Sequence, residues 1–194
     1  MGIREQLMVW EREDGPALFR AMGVTAGSVV VDFGAGQGHF AVAAACAVGS
    51  EGRVLALDRD GQSVDALRLR AASEGNSCLE PVLTDGSVKI NLPDGSVDFV
   101  MVYDIIHMLG LNRAALIAEA RRVLKPGGVL SVLPFHMNAD QKQVLTCQIL
   151  DEGFDGPRLF AGGIHCGMLH QAMGSPDADF DAVERGDICN FTKC

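Results

Sequence analysis

Basic charge is scarce in this chain: 16 lysines and arginines stand against 25 aspartates and glutamates, a formal net charge of −9 at pH 7. A surface built to neutralise phosphates needs the opposite balance, or a local cluster of cations, and no such cluster occurs. A nucleic-acid partner is therefore not expected. Nor is there a stretch of about 18 uninterrupted apolar residues, so a membrane span is not expected. The first residues, MGIREQLMVWEREDGP, carry charges at Arg4, Glu5, Glu11, Arg12, Glu13 and Asp14 and lack the apolar centre of a secretory signal. The opening Met-Gly does not make a myristoylation site, because Gln6 stands where serine or threonine is required. Cys-x-x-Cys pairs are missing as well. The six cysteines, at 46, 78, 147, 166, 189 and 194, are scattered, and a chain of this size can bury roughly 70% of its unfolded surface without disulfides. Reduced thiols and a cytoplasmic location are the expectation. Repeats, low-complexity tracts and Pro/Ser-rich linkers are absent, so residues 1–194 are read as one domain.

What the chain does have is a core. Hydrophobic residues make up 48% of it and charged residues 21%, which excludes a disordered chain. Residues 3–22 carry Leu7, Val9, Trp10, Leu18 and Phe19 and read as two short helical pieces interrupted at Gly15-Pro16. After Gly27 strands and helices alternate. Val29 to Val31 is a buried β-branched strand running into Asp32-Phe33-Gly34. Phe40 to Val48 is an alanine-rich helix stopped by Gly49. Arg53 to Leu57 is a strand closed by Asp58, and 61–74 a helix with Gly75 after it. Leu79 to Leu83 and Val97 to Val102 are further strands, 112–123 a helix, and Lys125-Pro126-Gly127-Gly128 a turn into the strand Val129 to Leu133. Asp140 to Leu150 is a helix, and the remainder reads as a strand pair near 158–170 and 186–192. Alternation of this kind gives βαβ units, a parallel sheet and helices on both faces. Ligands of such sheets bind beyond the carboxyl ends of the strands. The residues of interest are then Asp32 to Gly38, Asp58, Asp85, Tyr103 to His107 and Pro134 to His136.

The loop Asp32-Phe33-Gly34-Ala35-Gly36-Gln37-Gly38 lets a ligand lie against bare backbone. A pyrophosphate fingerprint would place its third glycine where His39 stands. Asp32 projects a carboxylate into the loop, which repels a pyrophosphate and suits an ammonium. Twenty residues after Gly38, Asp58 can accept hydrogen bonds from both hydroxyls of a ribose. A nucleoside with an amino-acid-like end fits this pair. Asp85 ends the third strand, within reach of an adenine amino group.

These segments resemble the class I S-adenosylmethionine-dependent methyltransferases. Val30-Val31-Asp32-Phe33-Gly34-Ala35-Gly36-Gln37-Gly38 is similar to their first motif, and Leu55-Ala56-Leu57-Asp58 to the ribose-holding motif. Asp98 to His107 (DFVMVYDIIH) resembles the fourth strand and its loop, and Arg122 to Leu130 (RVLKPGGVL) the helix, turn and fifth strand. The resemblance covers about residues 28–135. It implies a Rossmann-like three-layer α/β sandwich with a seven-stranded, mostly parallel sheet ending in a C-terminal antiparallel strand pair. Residues 1–27 would form a helical lid, 28–135 the cofactor-binding core, and 136–194 the last helix and strand pair. The implied cofactor is S-adenosyl-L-methionine, leaving as S-adenosyl-L-homocysteine. Asp32, Gly34, Gly36 and Gly38, with Ala35, would contact its methionine portion, and Asp58, with Arg59 beside it, the ribose. Asp85 and Gly86 would lie beside the adenine, and Tyr103 and Asp104 near the sulfonium.

Methyl transfer from a sulfonium needs alignment and exclusion of water, and a base only where the nucleophile must lose a proton. His107 is the candidate base; His136 and Tyr103, the single tyrosine, also line the presumed mouth. His165, Cys166 and His170 match no zinc spacing, so no metal site is expected. The Asn-Pro-Pro-Tyr-type and Pro-Cys motifs of nucleic-acid enzymes of this class are missing; Asp104-Ile105-Ile106-His107 stands at the first position. A small-molecule acceptor is the expectation. The alternatives are a non-catalytic S-adenosylmethionine-binding protein or partner-dependent subunit and, against His39 and Asp32, an NAD(P)-dependent oxidoreductase. Residue patterns say nothing of the oligomeric state.

Overall fold

The computed structural model describes residues 3–161 and 187–194. Its centre is one seven-stranded sheet: β1 (Val29–Phe33), β2 (Arg53–Asp58), β3 (Leu79–Leu83), β4 (Val97–Tyr103), β5 (Leu124–Leu133), β6 (Phe154–Phe160) and β7 (Ile188–Lys193). The spatial order is β3-β2-β1-β4-β5-β7-β6. Strands β1 to β5 pair in parallel, and β7 runs antiparallel between β5 and β6. The expected seven strands and C-terminal antiparallel pair are thus observed. The first strand of that pair begins earlier than expected, at Phe154, and residues 162–170 of the expected strand lie outside the described residues.

Among the described residues six helices flank the sheet: α1 (Ile3–Arg12), α2 (Asp14–Ala21), α3 (His39–Val48), α4 (Gly61–Ser73), α5 (Asn112–Val123) and α6 (Ala139–Asp151). Strand alternation divides the core in two. Val30, Val54, Phe99 and Met101 face a cluster with α1 to α4, while Val31, Val100, Leu130 and Val132 face α5 and α6. Helix α3, HFAVAAACAV, is apolar nearly all round and eight of its residues are buried. A helix of that composition needs cover on every side, and α1 and α2 supply it on the side away from the sheet. Asp60 caps α4 by accepting from Ser63 N at 2.9 Å, and Asn138 and Gln141 form a reciprocal capping box on α6.

Two local readings change. Gly15-Pro16 does not interrupt the helices but lies in the first turn of α2, where a missing N–H leaves no intrahelical bond unmade. A Cβ at Gly15 would stand 2.8 Å from Ala43 Cβ, so α2 crosses α3 there at glycine distance. Lys125-Pro126-Gly127-Gly128 is not a separate turn but an outward bulge within β5. Pairing with β4 passes from Val97↔Leu124 directly to Phe99↔Val129, leaving Asp98 opposite the bulge. Asp98 binds it down, accepting from Lys125 Nζ at 2.7 Å and from Val29 N at 2.8 Å.

The N-terminal helices are held by charge as well as packing. Glu11 is 1% exposed and bonds His39 Nδ1, the first residue of α3, while Arg70 of α4 reaches both its oxygens at 3.0 and 2.5 Å. Burial opposes the charge on Glu11, but the hydrogen bonds from His39 and Arg70 win and hold its carboxyl below the usual carboxylate range. A depressed acid stabilises the fold above its unfolded pKa, and that contribution is lost as pH falls through the folded one. Glu11→Gln is expected to cost about 1–3 kcal/mol at pH 7, by the usual penalty for stranding a buried partner. The variant should also flatten the acid side of the stability curve, measured by urea midpoints from pH 7 down to 3.

Candidate functional site

The strand order reverses direction between β1 and β4, so the crevice beyond their carboxyl ends is where a doubly wound sheet opens. The loop from Gly34 to Gly38 crosses it. Gly34, Gly36 and Gly38 have φ of 84°, 51° and 77°, the left-handed region that glycine enters without strain. Their reasons differ. A Cβ at Gly34 would meet Ile105 Cδ1 at 2.6 Å, and one at Gly38 would collide with Leu67. Those two glycines are required by the protein's own packing. Gly36 has nothing within 4 Å and faces open space.

Asp58, at the end of β2, fixes the loop. Its Oδ2 accepts from Gly36 N at 2.7 Å and its Oδ1 from Asp60 N at 2.9 Å. Each carboxylate oxygen keeps a further lone pair for a ligand. Gly34 N and Ala35 N donate to Leu57 O at 2.8 and 3.0 Å, so the loop is stitched along the same strand end.

Asp32 does not project into the loop. It stands within β1, in register with Ala56 and Met101, 3% exposed, and its Oδ2 has no hydrogen-bond partner. Desolvation by burial, with the Asp58 charge adding to it, pushes its pKa up to about 8. The carboxyl is therefore neutral at pH 7 as it stands, and the repulsion of a pyrophosphate inferred from sequence rests on a charge that only a nearby cation would restore. Tyr103 is also interior. It is 4% exposed, its hydroxyl meets Ser131 Oγ at 2.7 Å, and its ring stands edge-on to Phe40 at 4.7 Å.

A cleft of about 260 Å³ opens beside the loop, lined by Phe33, Gly34, Leu57, Asp58, Arg59, Thr84, Gly86, Ser87, Ile105, Met108 and Leu109. Its apolar walls and polar floor at Asp58, Thr84 and Ser87 suit a flat ring joined to a hydroxylated sugar. Of the expected residues, Gly34, Asp58, Arg59 and Gly86 line it. Asp85 is exposed and turns its carboxylate back to Ser87 N at 2.9 Å, so it stands outside the wall. Phe33 and Ile105 fall within the segments singled out from sequence but had no role assigned; Leu57, Thr84, Ser87, Met108 and Leu109 were not anticipated, and their position at or after strand ends was the available signal.

Asp104 and His107, after β4, meet His136, after β5. Asp104 Oδ1 lies 3.2 Å from His136 Nε2, and the two imidazoles stand 4.8 Å apart between ring centres. Burial, reinforced by His136, lowers the His107 pKa and favours the neutral imidazole. His165, Cys166 and His170 lie outside the described residues. Among the described residues no helix is long and apolar enough to cross a membrane.

The sheet order, the glycine loop and the acidic residue closing β2 together define the class I S-adenosylmethionine-dependent methyltransferase architecture. Residues 31–132, over half of the chain, match the family model described as a methyltransferase domain, and the chain belongs to that family. It is 36% identical over 113 residues to a ubiquinone/menaquinone biosynthesis C-methyltransferase, UbiE, of Cupriavidus taiwanensis, covering 58% of this chain and 45% of that one. It is 30% identical over 117 residues to a chloroplastic 2-phytyl-1,4-beta-naphthoquinone methyltransferase of Arabidopsis thaliana, covering 59% and 44%. The chain thus spans less than half the length of these curated relatives. Among solved structures, an S-adenosylmethionine-dependent methyltransferase from Aquifex aeolicus superposes with a TM-score of 0.70 at 19% identity, covering 99% of this chain and 97% of that one. The family's cofactor is S-adenosylmethionine, and three features of this site fit it: the unpartnered buried oxygen of Asp32, the open space over Gly36, and the cleft running from Asp58.

Raising an acid's pKa on folding makes the folded state the better proton binder between the unfolded and folded values, so stability falls as pH rises through that window. For Asp32 the window runs from about 4 to about 8. Asp32→Asn should remove this slope and leave the variant more stable than the parent at pH 8, measured by urea midpoints across the window.

Proposed function

We propose that the chain transfers a methyl group from S-adenosylmethionine to a small-molecule acceptor, a ring of the quinone or phenol kind. The observation that carries this reading is the frame formed by Gly36 and Asp58 beside the cleft, set in a family match that spans the same strands. The quinone named for the relatives supports the acceptor class, and so does the exposed apolar surface at Met108 and Leu111, beyond β4. A cytoplasmic setting accords with both.

In this reading the cofactor supplies an electrophilic methyl group, and the protein's work is to hold, orient and keep dry. Gly34, Ala35, Gly36 and Gly38 offer backbone to the methionine portion, with Asp32 beneath taking up an ammonium as its carboxylate. Asp58 accepts from the ribose hydroxyls while still holding the loop through Gly36. Arg59, Gly86 and the neighbouring Asp85 flank the adenine, with Ile105 and Leu109 as its apolar walls. Tyr103 supports the sulfonium side from below, and Asp104 edges it. A ring acceptor becomes nucleophilic when its hydroxyl loses a proton, and His107, held neutral, presents a lone pair on that side. Bound there, the cofactor would supply its methyl to the ionised ring, and the methylated ring carbon would release its proton to solvent.

Calorimetric titration with S-adenosylhomocysteine should give a micromolar constant, and with NAD no heat of binding. Asp58→Ala should weaken S-adenosylhomocysteine by at least about 1.4 kcal/mol, a factor of ten. Gly36→Val fills space that no protein atom uses and strains a backbone held at φ 51°, so it should abolish binding, with circular dichroism checking that the fold persists. Transfer of labelled methyl from S-adenosylmethionine to hydroquinones then tests turnover. Binding without transfer to any acceptor would leave a binding protein or a subunit, and binding of NAD alone would overturn the reading.

A further inference from the structure

Beyond the carboxyl ends of β4 and β5, two loops distant in sequence bring three metal-ligating side chains together. One oxygen of Asp104, one ring nitrogen of His107 and one of His136 all lie within 4.8 Å of one another. The sequence pointed to no metal here because positions 104, 107 and 136 have no compact spacing; only the adjacency of β4 and β5 joins them.

Two further observations separate this cluster from incidental packing. His107 Nδ1 is buried and has no hydrogen-bond partner, whereas buried imidazole nitrogens are ordinarily satisfied. Asp104 is, among the described residues, the non-glycine residue held at positive φ, 57°, a conformation that persists where the surroundings enforce it and that gathers at ligand sites. His136 is steadied by Phe135, whose ring stands edge-on at 5.1 Å. Arg113 also faces His107, and its Nε donates to Ile106 O at 3.2 Å.

We propose that Asp104, His107 and His136 bind a divalent first-row transition ion beside the cleft, next to its Ile105 and Met108 wall. Two imidazoles and one carboxylate are a donor set that takes such ions and leaves coordination positions open for water or a substrate oxygen. Bonds of about 2.0–2.2 Å require the donors to draw inward from their present spread, and His136, nearly half exposed on its loop, has room to move. The Asp104–His136 contact at 3.2 Å is already at coordination spacing. An acceptor hydroxyl on this ion would ionise, its proton leaving to solvent and its oxygen staying on the metal, in place of proton transfer to a free imidazole. That last role rests on the methyl-transfer reading; the ion site itself does not.

The test is titration of the EDTA-treated protein with Co²⁺, followed by its visible absorption, beside calorimetry of S-adenosylhomocysteine on the same sample. One equivalent should bind with the spectrum of nitrogen and oxygen ligands. His136→Ala, at an exposed position that leaves the fold intact by circular dichroism, should weaken Co²⁺ at least tenfold, and Asp104→Asn should do the same. Absence of binding at millimolar Co²⁺, a thiolate charge-transfer band that places the ion on cysteine, or unchanged affinity in His136→Ala would each overturn the site. S-adenosylhomocysteine binding in the same samples reports separately on the methyltransferase reading.

Discussion

One hydrogen bond organises the carboxyl end of this sheet: the 2.7 Å contact from the Gly36 amide to Asp58. It ties the loop that follows β1 to the end of β2, so the glycines and the acidic residue form one object. Everything proposed for the cofactor depends on that object keeping its shape without a side chain in the way. Charge-assisted bonds of this kind are short and directional, and Asp58 makes a second one to Asp60 N that anchors the start of α4. The loop is thereby preorganised on rigid elements rather than ordered by its ligand.

Beneath the loop the structure tolerates an opposing cost. Asp32 is buried, one of its oxygens is unpartnered, and the neighbouring Asp58 charge makes ionisation harder still. A group that destabilises the fold at neutral pH is what a binding site retains when a ligand supplies the missing partner. The cost is met elsewhere: the alanine-rich α3 is sealed from both sides, and Glu11 joins α1 to α3 and α4 through His39 and Arg70. The N-terminal helices thus support the glycine loop from behind, since His39 follows Gly38 directly.

Much of this was legible in the residues. Strand β3 (Leu79–Leu83) and helix α5 (Asn112–Val123) fall where the alternation of strands and helices places them, and the loop of β1 with Asp58 twenty residues on was visible as a pair. What stayed hidden depends on long-range register. Lys125 to Gly128 read as a turn because proline and glycine mark one locally, yet the pairing of β4 and β5 carries the strand through them as a bulge. Asp32 read as a loop residue because its burial follows from α3 lying over β1, not from its neighbours in sequence. Glu11 reaches partners 28 and 59 residues away, and the cluster at Asp104, His107 and His136 exists only because β4 and β5 are adjacent. Which glycines serve packing and which faces open space is likewise a property of Ile105 and Leu67, not of the motif.

The central claim is that a buried, neutral Asp32 becomes the carboxylate partner of the ligand's ammonium. Titrating S-adenosylhomocysteine at pH 7 by calorimetry, in two buffers of different ionisation enthalpy, counts the protons exchanged on binding. Release of a proton by the parent, abolished in Asp32→Asn together with at least a tenfold loss of affinity, is the expected result. Tight binding with no proton release, unchanged by Asp32→Asn, would contradict the account of the site.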